Sequence, residues 1–291
     1  MAGRLAVKKT YKLYIGGAFP RTEGGRTMPV AGPDGKVVAR ASRATRKDLR
    51  DAVRAARQAF GGWSGRTAFN RGQILYRLAE MMELRRAELE REIKSATGAA
   101  ARAAAREVTA AIERTVWYSG WCDKFTQLFG SVNPVAGAYF DFTVPEPTGV
   151  VGIVAPDSPS LLGLVSTAVP ALVSGNSVVA LASEQDPLSA VAFAECVATS
   201  DAPGGVFNLL TGLRADLVPH LARHMDVNAL ALFGVDDGMA RLAAEEGAAN
   251  VKRVHAEAPA SADWWFSDAA QSPYAIERFV EAKTTWHPMG R

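Results

Sequence analysis

The chain has 291 residues, 48% hydrophobic and 22% charged, a composition that indicates a globular protein and excludes disordered, collagen-like and coiled-coil classes. Its 33 basic and 30 acidic residues are interspersed, which predicts no nucleic-acid-binding surface. No apolar run reaches the ~18 residues of a membrane span. The first residues carry charges without the apolar core of a signal peptide, so we expect a cytoplasmic protein with no membrane partner.

Three amphipathic helices are predicted in the first 130 residues. Thr45 and Asp48 have the spacing of a capping box, and the helix that follows is expected to end at Gly61. Apolar residues at helical intervals predict two further helices, over residues 70–97 and 101–129.

The two cysteines, Cys122 and Cys196, lie far apart inside helical patterns. This placement predicts reduced thiols in the protein core rather than a disulfide scaffold.

After residue 148, short apolar runs alternate regularly with helical segments. The runs are residues 150–154, 177–181, 206–210, 228–233 and 250–254. Continuous apolar runs are typical of strands covered by helices on both faces, and the spacing suits βαβ units. The predicted fold class is therefore α/β, with a doubly wound parallel sheet that binds ligands at the carboxyl ends of its strands.

Two further segments alternate between apolar and polar residues. In residues 139–144, Phe140, Phe142 and Val144 share one face, which predicts a half-buried strand that ends at Pro145. Residues 280–286 alternate in the same way near the end of the chain. An isolated strand is stable only when it pairs, so we expect this one to pair with another strand.

Several segments resemble the NAD(P)-dependent aldehyde dehydrogenase family over nearly the whole chain. They are residues 13–17 (LYIGG), 147–156 (PTGVVGIVAP), 170–179 (PALVSGNSVV), 203–208 (PGGVFN) and 250–254 (NVKRV). The resemblance implies a Rossmann-like cofactor domain with N-terminal helices and a small β-sheet extension through which subunits pair.

The same resemblance implies a division of the chain into four parts. Residues 1–130 match the N-terminal helical part of the cofactor domain, and residues 149–270 match its Rossmann-like βαβ part. Residues 131–148 and 271–291 match two oligomerisation strands.

An aldehyde dehydrogenase needs a cysteine thiolate, an oxyanion donor, a general base and a bound nicotinamide. In the family the nucleophile comes well after the glutamate that Glu257 matches. Here residues 281–286 (EAKTTW) already resemble the pattern that closes the family's chain. The resemblance implies that the catalytic domain is absent and its flanks are joined near residues 268–272. Neither Cys122 nor Cys196 matches the nucleophile.

Two positions of the family's active site are present in altered form. Ser158 stands where the family has the asparagine that donates to the oxyanion, and Asp157 stands where it has a tryptophan. A serine-hydrolase role for Ser158 is excluded because no Gly-x-Ser-x-Gly elbow surrounds it. Glu257 matches the general base but lacks the glycines that follow it in the family, so we interpret it as solvated or structurally paired. No catalytic residue is therefore predicted.

Pro156, Glu184 and Gly234 match cofactor-binding positions of the family. Glu184 could still bond an adenine ribose. Leu181 replaces the lysine that bonds a ribose or a phosphate, a loss of about 1.5 to 3 kcal/mol of affinity.

Two other features oppose a dinucleotide. The loop at residues 213–216 lacks the glycines usual there, and Asp236 and Asp237 lie at a helix N-terminus where the family places phosphate. Carboxylates at that end satisfy the helix dipole themselves and repel phosphate. The prediction is no cofactor, or weakly bound NAD(P).

His220, His224 and Asp226 have the chain's one metal-like spacing. Two histidines rarely make a site, no glutamate follows the first histidine as in zincins, and histidine is favourable near a helix C-terminus without a metal. No metal site is predicted.

Retained pairing strands without catalytic groups favour one hypothesis of function. The hypothesis is a catalytically inactive subunit that assembles with a full-length aldehyde dehydrogenase paralogue, or with itself. Such a subunit would stabilise or regulate its partner. The reason is that an exposed apolar sheet is an association surface. Two alternatives remain open: an NAD(P)-dependent aldehyde oxidoreductase with a rearranged active site that uses Glu257, and a nucleotide-binding module without turnover.

Overall fold

The computed structural model describes residues 9–258 and 260–290. The helices are α1 Arg46–Ser64, α2 Ala68–Leu84, α3 Arg86–Thr97, α4 Ala101–Ser119, α5 Phe125–Phe129, α6 Ser160–Val173, α7 Leu188–Ala198, α8 Arg214–Arg223, α9 Asp237–Gly247, α10 Ala262–Trp265 and α11 Tyr274–Glu277. No helix in this part of the chain combines the length and the apolar character needed to cross a membrane.

The strands of the same residues form three sheets. They are β1 Thr27–Ala31, β2 Val37–Ser42, β3 Ser131–Asn133, β4 Tyr139–Pro147, β5 Val150–Val154, β6 Ser177–Leu181, β7 Phe207–Leu210, β8 Ala229–Phe233, β9 Arg253–Glu257 and β10 Val280–Pro288. Strands β1 and β2 form an antiparallel hairpin.

Strands β5 to β9 form a parallel sheet in the order β7-β6-β5-β8-β9, which we call the parallel sheet. Residues of β5 to β8 are buried throughout, because helices cover both faces. Alternate residues of β5 belong to two different apolar clusters, one on each side of the sheet. The predicted α/β fold with a doubly wound parallel sheet is confirmed.

Helix α1 begins as predicted but ends later. The Thr45 side chain accepts a hydrogen bond from the backbone of Asp48, and the Asp48 carboxylate accepts one from the backbone of Thr45, completing the capping box. The helix continues past Gly61 to Ser64 because the indole of Trp63 is buried and donates to the Leu172 carbonyl at 3.1 Å. The expected end at Gly61 was therefore wrong.

The two longer predicted helices are each broken. Residues 70–97 form α2 and α3, which meet at Arg85; α2 packs mainly on α4, whereas α3 packs about equally on α4 and α7. Residues 101–129 form α4 and the short α5, with a turn that starts at Gly120. The apolar spacing continues across both breaks, so periodicity alone could not locate them.

Strand β9 begins at Arg253, three residues later than predicted. Residues 248–250 form a 3₁₀ turn, and Val251 follows with a φ of 55°, a left-handed conformation that no strand residue adopts. The predicted strand over residues 250–254 was correct in type and misplaced along the chain.

Strands β10, β4 and β3 form an antiparallel sheet in that order, which we call the small sheet. The expected pairing of residues 280–286 is confirmed. Strand β4 runs through Pro145 to Pro147, against prediction, since β3 covers it only as far as Thr143. Beyond Thr143 the side of β4 that faces β3 is unpaired. The prolines there have no backbone N–H to donate, so they break no hydrogen bond between strands.

The predicted inward face of β4 is exposed. Phe140 is 44% exposed and Val144 37%, whereas Asp141, expected on the solvent face, is 3% exposed. The Asp141 carboxylate accepts a hydrogen bond from the Asn133 side chain at 3.0 Å. Alternation located the two faces of the strand but assigned the wrong one to the interior.

Candidate functional site

The parallel sheet has one point at which the strand order reverses, between β5 and β8. In doubly wound sheets, ligands bind in the crevice beyond the carboxyl ends of the strands at such a point. Two loops border it, residues 155–159 after β5 and 234–236 after β8. Gly234 has a φ of 67°, and a Cβ built on it would lie 3.9 Å from the Cα of the buried Pro156. The structure therefore brings these two predicted positions side by side.

Asp157 is the centre of a hydrogen-bond network in this crevice. Its carboxylate accepts bonds from the Ser183 hydroxyl at 3.0 Å and from the Glu184 backbone N–H at 3.0 Å. Both carboxylate oxygens also accept from the guanidinium of Arg214, each at 3.0 Å. This bidentate geometry is the strong form of an arginine–carboxylate pair.

The Arg214 side chain, which is 10% exposed, lies across the ends of β5 and β8. Its Nη2 donates to the Ala155 carbonyl at 2.6 Å, and its Nη1 reaches the Gly234 carbonyl at 3.5 Å. The sequence showed that glycines were missing from residues 213–216 but not that Arg214 fills the crevice. The available signal was the pair of opposite charges, Asp157 and Arg214, on two loops at the same edge of the sheet.

Glu184 is also engaged within the protein. Its carboxylate accepts a hydrogen bond from the backbone N–H of Arg214, the first residue of α8, and so satisfies a free donor at that helix end. Leu181, at the end of β6, is buried. Asp236 caps α9 by accepting from the Met239 N–H at 2.8 Å. Three groups that border the crevice (Asp157, Glu184 and Asp236) thus bind this chain's own donors.

Ser158 and Glu257 are not brought together. Ser158 is exposed in the loop after β5, whereas Glu257 ends β9 and forms an ion pair with Arg278. The Glu257 carbonyl accepts from the Gly234 N–H at 3.2 Å, which places the end of β9 beside the crevice.

Residues 260–279, which we call the joining segment, lead from β9 to β10 and pack against α6. Arg114 of α4, buried beneath them, donates to the Ser166 hydroxyl at 2.8 Å, the Ala270 carbonyl at 2.8 Å and the Trp265 carbonyl at 3.0 Å. The ring of Trp265 contacts Phe233 at the end of β8, with centroids 6.1 Å apart. The predicted join at residues 268–272 lies inside this packed segment.

A cavity of about 170 Å³ remains between the joining segment and the sheet. Phe233, Glu257, Trp264 and Arg278 are among its lining residues.

The two ends of the joining segment lie close together. Arg253 of β9 donates to the Val280 carbonyl of β10, and its guanidinium forms an ion pair with Glu281 at 2.5 Å. Glu257, the last residue of β9, forms an ion pair with Arg278, two residues before β10, so the chain returns to the end of β9 at which it left the parallel sheet.

Both cysteines are free and buried in the helical layer. Burial raises the pKa of Cys122 and of Cys196 to about 12. Cys122 lies against α2, where a Cβ built on Gly72 would be 3.7 Å from the Cβ of Cys122. A protonated, buried thiol is a poor nucleophile, so neither group suits thiolate chemistry.

His220 and His224 lie at the end of α8, and Nδ1 of His224 accepts from the Asp226 N–H at 3.2 Å. Burial lowers the pKa of both histidines, and the positive charge of Arg46 adds to this effect at His220. In residues 9–258 and 260–290, no group of three or more histidine, cysteine or acidic side chains is arranged to hold a metal ion.

Two buried acids at the start of α6 were missed by sequence reasoning. Glu107 accepts from the Leu161 and Leu162 N–H groups at 2.8 and 3.2 Å, and Asp186 accepts from the Ser160 hydroxyl at 2.6 Å. Burial raises the pKa of Glu107 and of Asp186 to about 6. No motif marks Glu107, because its partners lie far away in the sequence, and the local bond of Asp186 to the Leu188 N–H does not reveal its distant partner Ser160.

The comparisons with known proteins agree with this fold. The Aldehyde dehydrogenase family profile matches residues 20–287. Retinal dehydrogenase 2 of Gallus gallus is 34% identical over 280 residues, which cover 94% of this chain and 53% of that protein. Cytosolic 10-formyltetrahydrofolate dehydrogenase of Mus musculus is 34% identical over 262 residues, 87% of this chain and 29% of that protein.

Solved structures agree as well. PnpE from Pseudomonas sp. WBC-3 superposes with a TM-score of 0.81 at 31% identity, covering 86% of this chain and 51% of that one. The NAD⁺ complex of an aldehyde dehydrogenase from Bacillus cereus superposes with a TM-score of 0.81 at 29% sequence identity, and the match covers 86% of this chain and 51% of that one. The chain thus spans about half the length of these structures, and 53% and 29% of the two curated relatives. From the profile match and these likenesses, the chain belongs to the aldehyde dehydrogenase family.

Proposed function

We propose that the protein is a non-catalytic subunit that assembles with a full-length aldehyde dehydrogenase and stabilises or regulates it. The observation that carries the proposal is the contrast between a crevice filled by the protein's own charges and a small sheet whose apolar side chains remain exposed.

The filled crevice argues against turnover. A dinucleotide at the switch point would need the space of the Arg214 guanidinium and the acceptors that Asp157 and Glu184 use internally. The residues present do not fit that ligand in this arrangement. In this respect the chain differs from the aldehyde dehydrogenase of Bacillus cereus, which has been solved as an NAD⁺ complex.

The missing nucleophile supports the same conclusion. Both cysteines are buried thiols in the helical layer, and Glu257 is paired with Arg278 rather than poised beside a reactive group. General-base chemistry requires a group within hydrogen-bond reach of the proton that it removes. The described residues supply no thiol in that position.

The small sheet supports assembly. Val132, Phe140 and Val144 are exposed on one face, and Tyr139 and Trp286 on the other. Contiguous exposed apolar side chains on a sheet mark an interaction surface. In the family that this chain resembles, the sheet pairs subunits and packs against a neighbour's catalytic domain. A full-length partner would supply such a domain, which a second copy of this chain does not.

The test is co-expression with a full-length aldehyde dehydrogenase from the same genome, followed by size-exclusion chromatography with light scattering. We expect co-elution that Phe140→Asp combined with Val144→Asp abolishes. The matched control is Phe69→Asp, because Phe69 is an exposed phenylalanine on α2, outside the small sheet.

Separate elution under all conditions would overturn the assembly. Aldehyde-dependent reduction of NAD⁺ by the purified chain alone, lost in Glu257→Gln, would overturn the non-catalytic assignment.

A further inference from the structure

A second concave region lies away from the crevice, between α1 and the C-terminal half of α8. It is a cleft of about 790 Å³ that the loop at residues 23–26 closes on one side. Five of its eleven lining residues are permanent cations, namely Arg26, Arg46, Lys47, Arg50 and Arg223. The lining also includes His220 and His224, and its one acidic residue is Glu23. We call this region the cationic cleft.

Three of the five cations have carboxylate partners. Lys47 pairs with Glu23, Arg50 with Asp51 at 3.1 Å and Arg223 with Glu246 at 2.5 Å.

Arg26 and Arg46 form no ion pair and donate no side-chain hydrogen bond within residues 9–258 and 260–290. Both are exposed. Two guanidinium groups with all their donors unused therefore face the same concave space.

The two free arginines lie where two cavities meet. Together with His220 they also line an adjoining cavity of about 470 Å³, in which Asp216 is paired with Arg43 at 2.6 Å. Like charges that converge on a concave surface create a positive potential that attracts anions. Nothing in the crevice or the small sheet requires this arrangement of charge.

We propose that the cationic cleft binds a small anion that carries two or more phosphate groups. Arg26 and Arg46 supply planar donor forks, whose geometry matches phosphate oxygens. The volume lies in the range of small-molecule sites, about 300 to 1,000 Å³. The concave shape and this size favour a small ligand over a nucleic-acid helix. The proposal does not depend on partner assembly or on the state of the crevice.

The experiment is isothermal titration calorimetry on the full chain with tripolyphosphate, ATP, AMP, adenosine and a short DNA duplex. We expect saturable binding of tripolyphosphate and ATP, weaker binding of AMP and none of adenosine, since the phosphates provide the recognised charge. Comparable affinities for tripolyphosphate and ATP would assign recognition to the phosphates alone. A much tighter ATP complex would identify a nucleotide as the source of those phosphates.

Arg26→Ala combined with Arg46→Ala is expected to weaken ATP binding about tenfold or more, because it removes charged hydrogen bonds to the phosphates. Arg241→Ala is the matched control, because Arg241 is an exposed arginine of α9 outside the cleft. Circular dichroism verifies folding of each variant, and Arg46→Gln alone provides a milder second test.

Four results would overturn the proposal. They are no saturable heat with millimolar tripolyphosphate or ATP, unchanged affinity in the double arginine variant, adenosine binding as tight as that of ATP, and a preference for duplex DNA over ATP. The last result would identify a nucleic-acid surface instead of a small-ligand site.

Discussion

The parallel sheet and the small sheet differ in how they treat the groups that a ligand or partner would contact. At the carboxyl edge of the parallel sheet, Asp157, Glu184 and Arg214 satisfy one another and leave few free donors or acceptors. The small sheet leaves Phe140 and Trp286 in contact with water. The polar groups at the edge of the parallel sheet bind one another, whereas the apolar side chains of the small sheet remain exposed. The proposal of assembly through the small sheet rests on this difference.

The largest expected effect comes from placing the same charge in each sheet. Val154 is fully buried in β5, so Val154→Asp buries an unpaired carboxylate and is expected to cost more than about 4 kcal/mol of unfolding free energy. Val144→Asp on the exposed face of β4 is expected to cost less than about 1 kcal/mol. Urea unfolding measures both, and equal losses would contradict the difference between the sheets.

The next effect concerns the ion pair in the crevice. Asp157→Ala leaves the mostly buried Arg214 guanidinium without its carboxylate and is expected to lower the unfolding free energy by about 3 kcal/mol. Lys283→Ala is the matched control, because it removes an ion pair with Glu146 on the exposed small sheet and is expected to cost less than about 1 kcal/mol. A loss at Asp157 as small as at Lys283 would show that the pair is not structural.

Removing the charges of Asp157 and Arg214 together measures how strongly the two side chains are coupled. Asp157→Ala combined with Arg214→Ala leaves no unpaired ion and is expected to cost about 1 to 2 kcal/mol, less than Asp157→Ala alone. The same variant empties the crevice, and in an Arg26→Ala, Arg46→Ala background we expect calorimetry to detect NAD⁺ binding that the chain with the filled crevice lacks. Strictly additive losses from the two single substitutions would argue against coupling.

The smallest predicted effect is a dependence on pH. The pKa of Glu107 is raised to about 6 in the folded protein, above its ordinary value of 4.5, so the folded state binds more protons between these values. Stability is expected to fall as pH rises through this window and to gain about 1 kcal/mol on acidification from pH 7 to 5.

Glu107→Gln keeps an acceptor for the Leu161 N–H, and its stability curve is expected to be flatter over this range. Chemical unfolding across the pH range measures the slope. Identical slopes for the two proteins would remove Glu107 as the cause, and Asp186→Asn then tests the second buried acid.

Much of the parallel sheet could be predicted from local pattern, because strands buried on both faces read as continuous apolar runs. The end of α1 could not, since Trp63 extends the helix through a contact with Leu172, far along the chain. Arg214 was missed for the same reason, as its role depends on Asp157, which lies 57 positions earlier. The exposed face of β4 was misassigned because alternation distinguishes two faces without saying which of them meets the interior.

The ion pair between Glu257, the last residue of β9, and Arg278, two residues before β10, has a consequence for how this architecture tolerates change. The chain leaves β9 and approaches β10 at neighbouring points, so a segment of almost any length could be spliced there without moving either strand. Extending a loop at such a junction adds little entropic cost, because that cost grows only with the logarithm of loop length. The same geometry makes this junction a natural place to graft or delete a whole folded module.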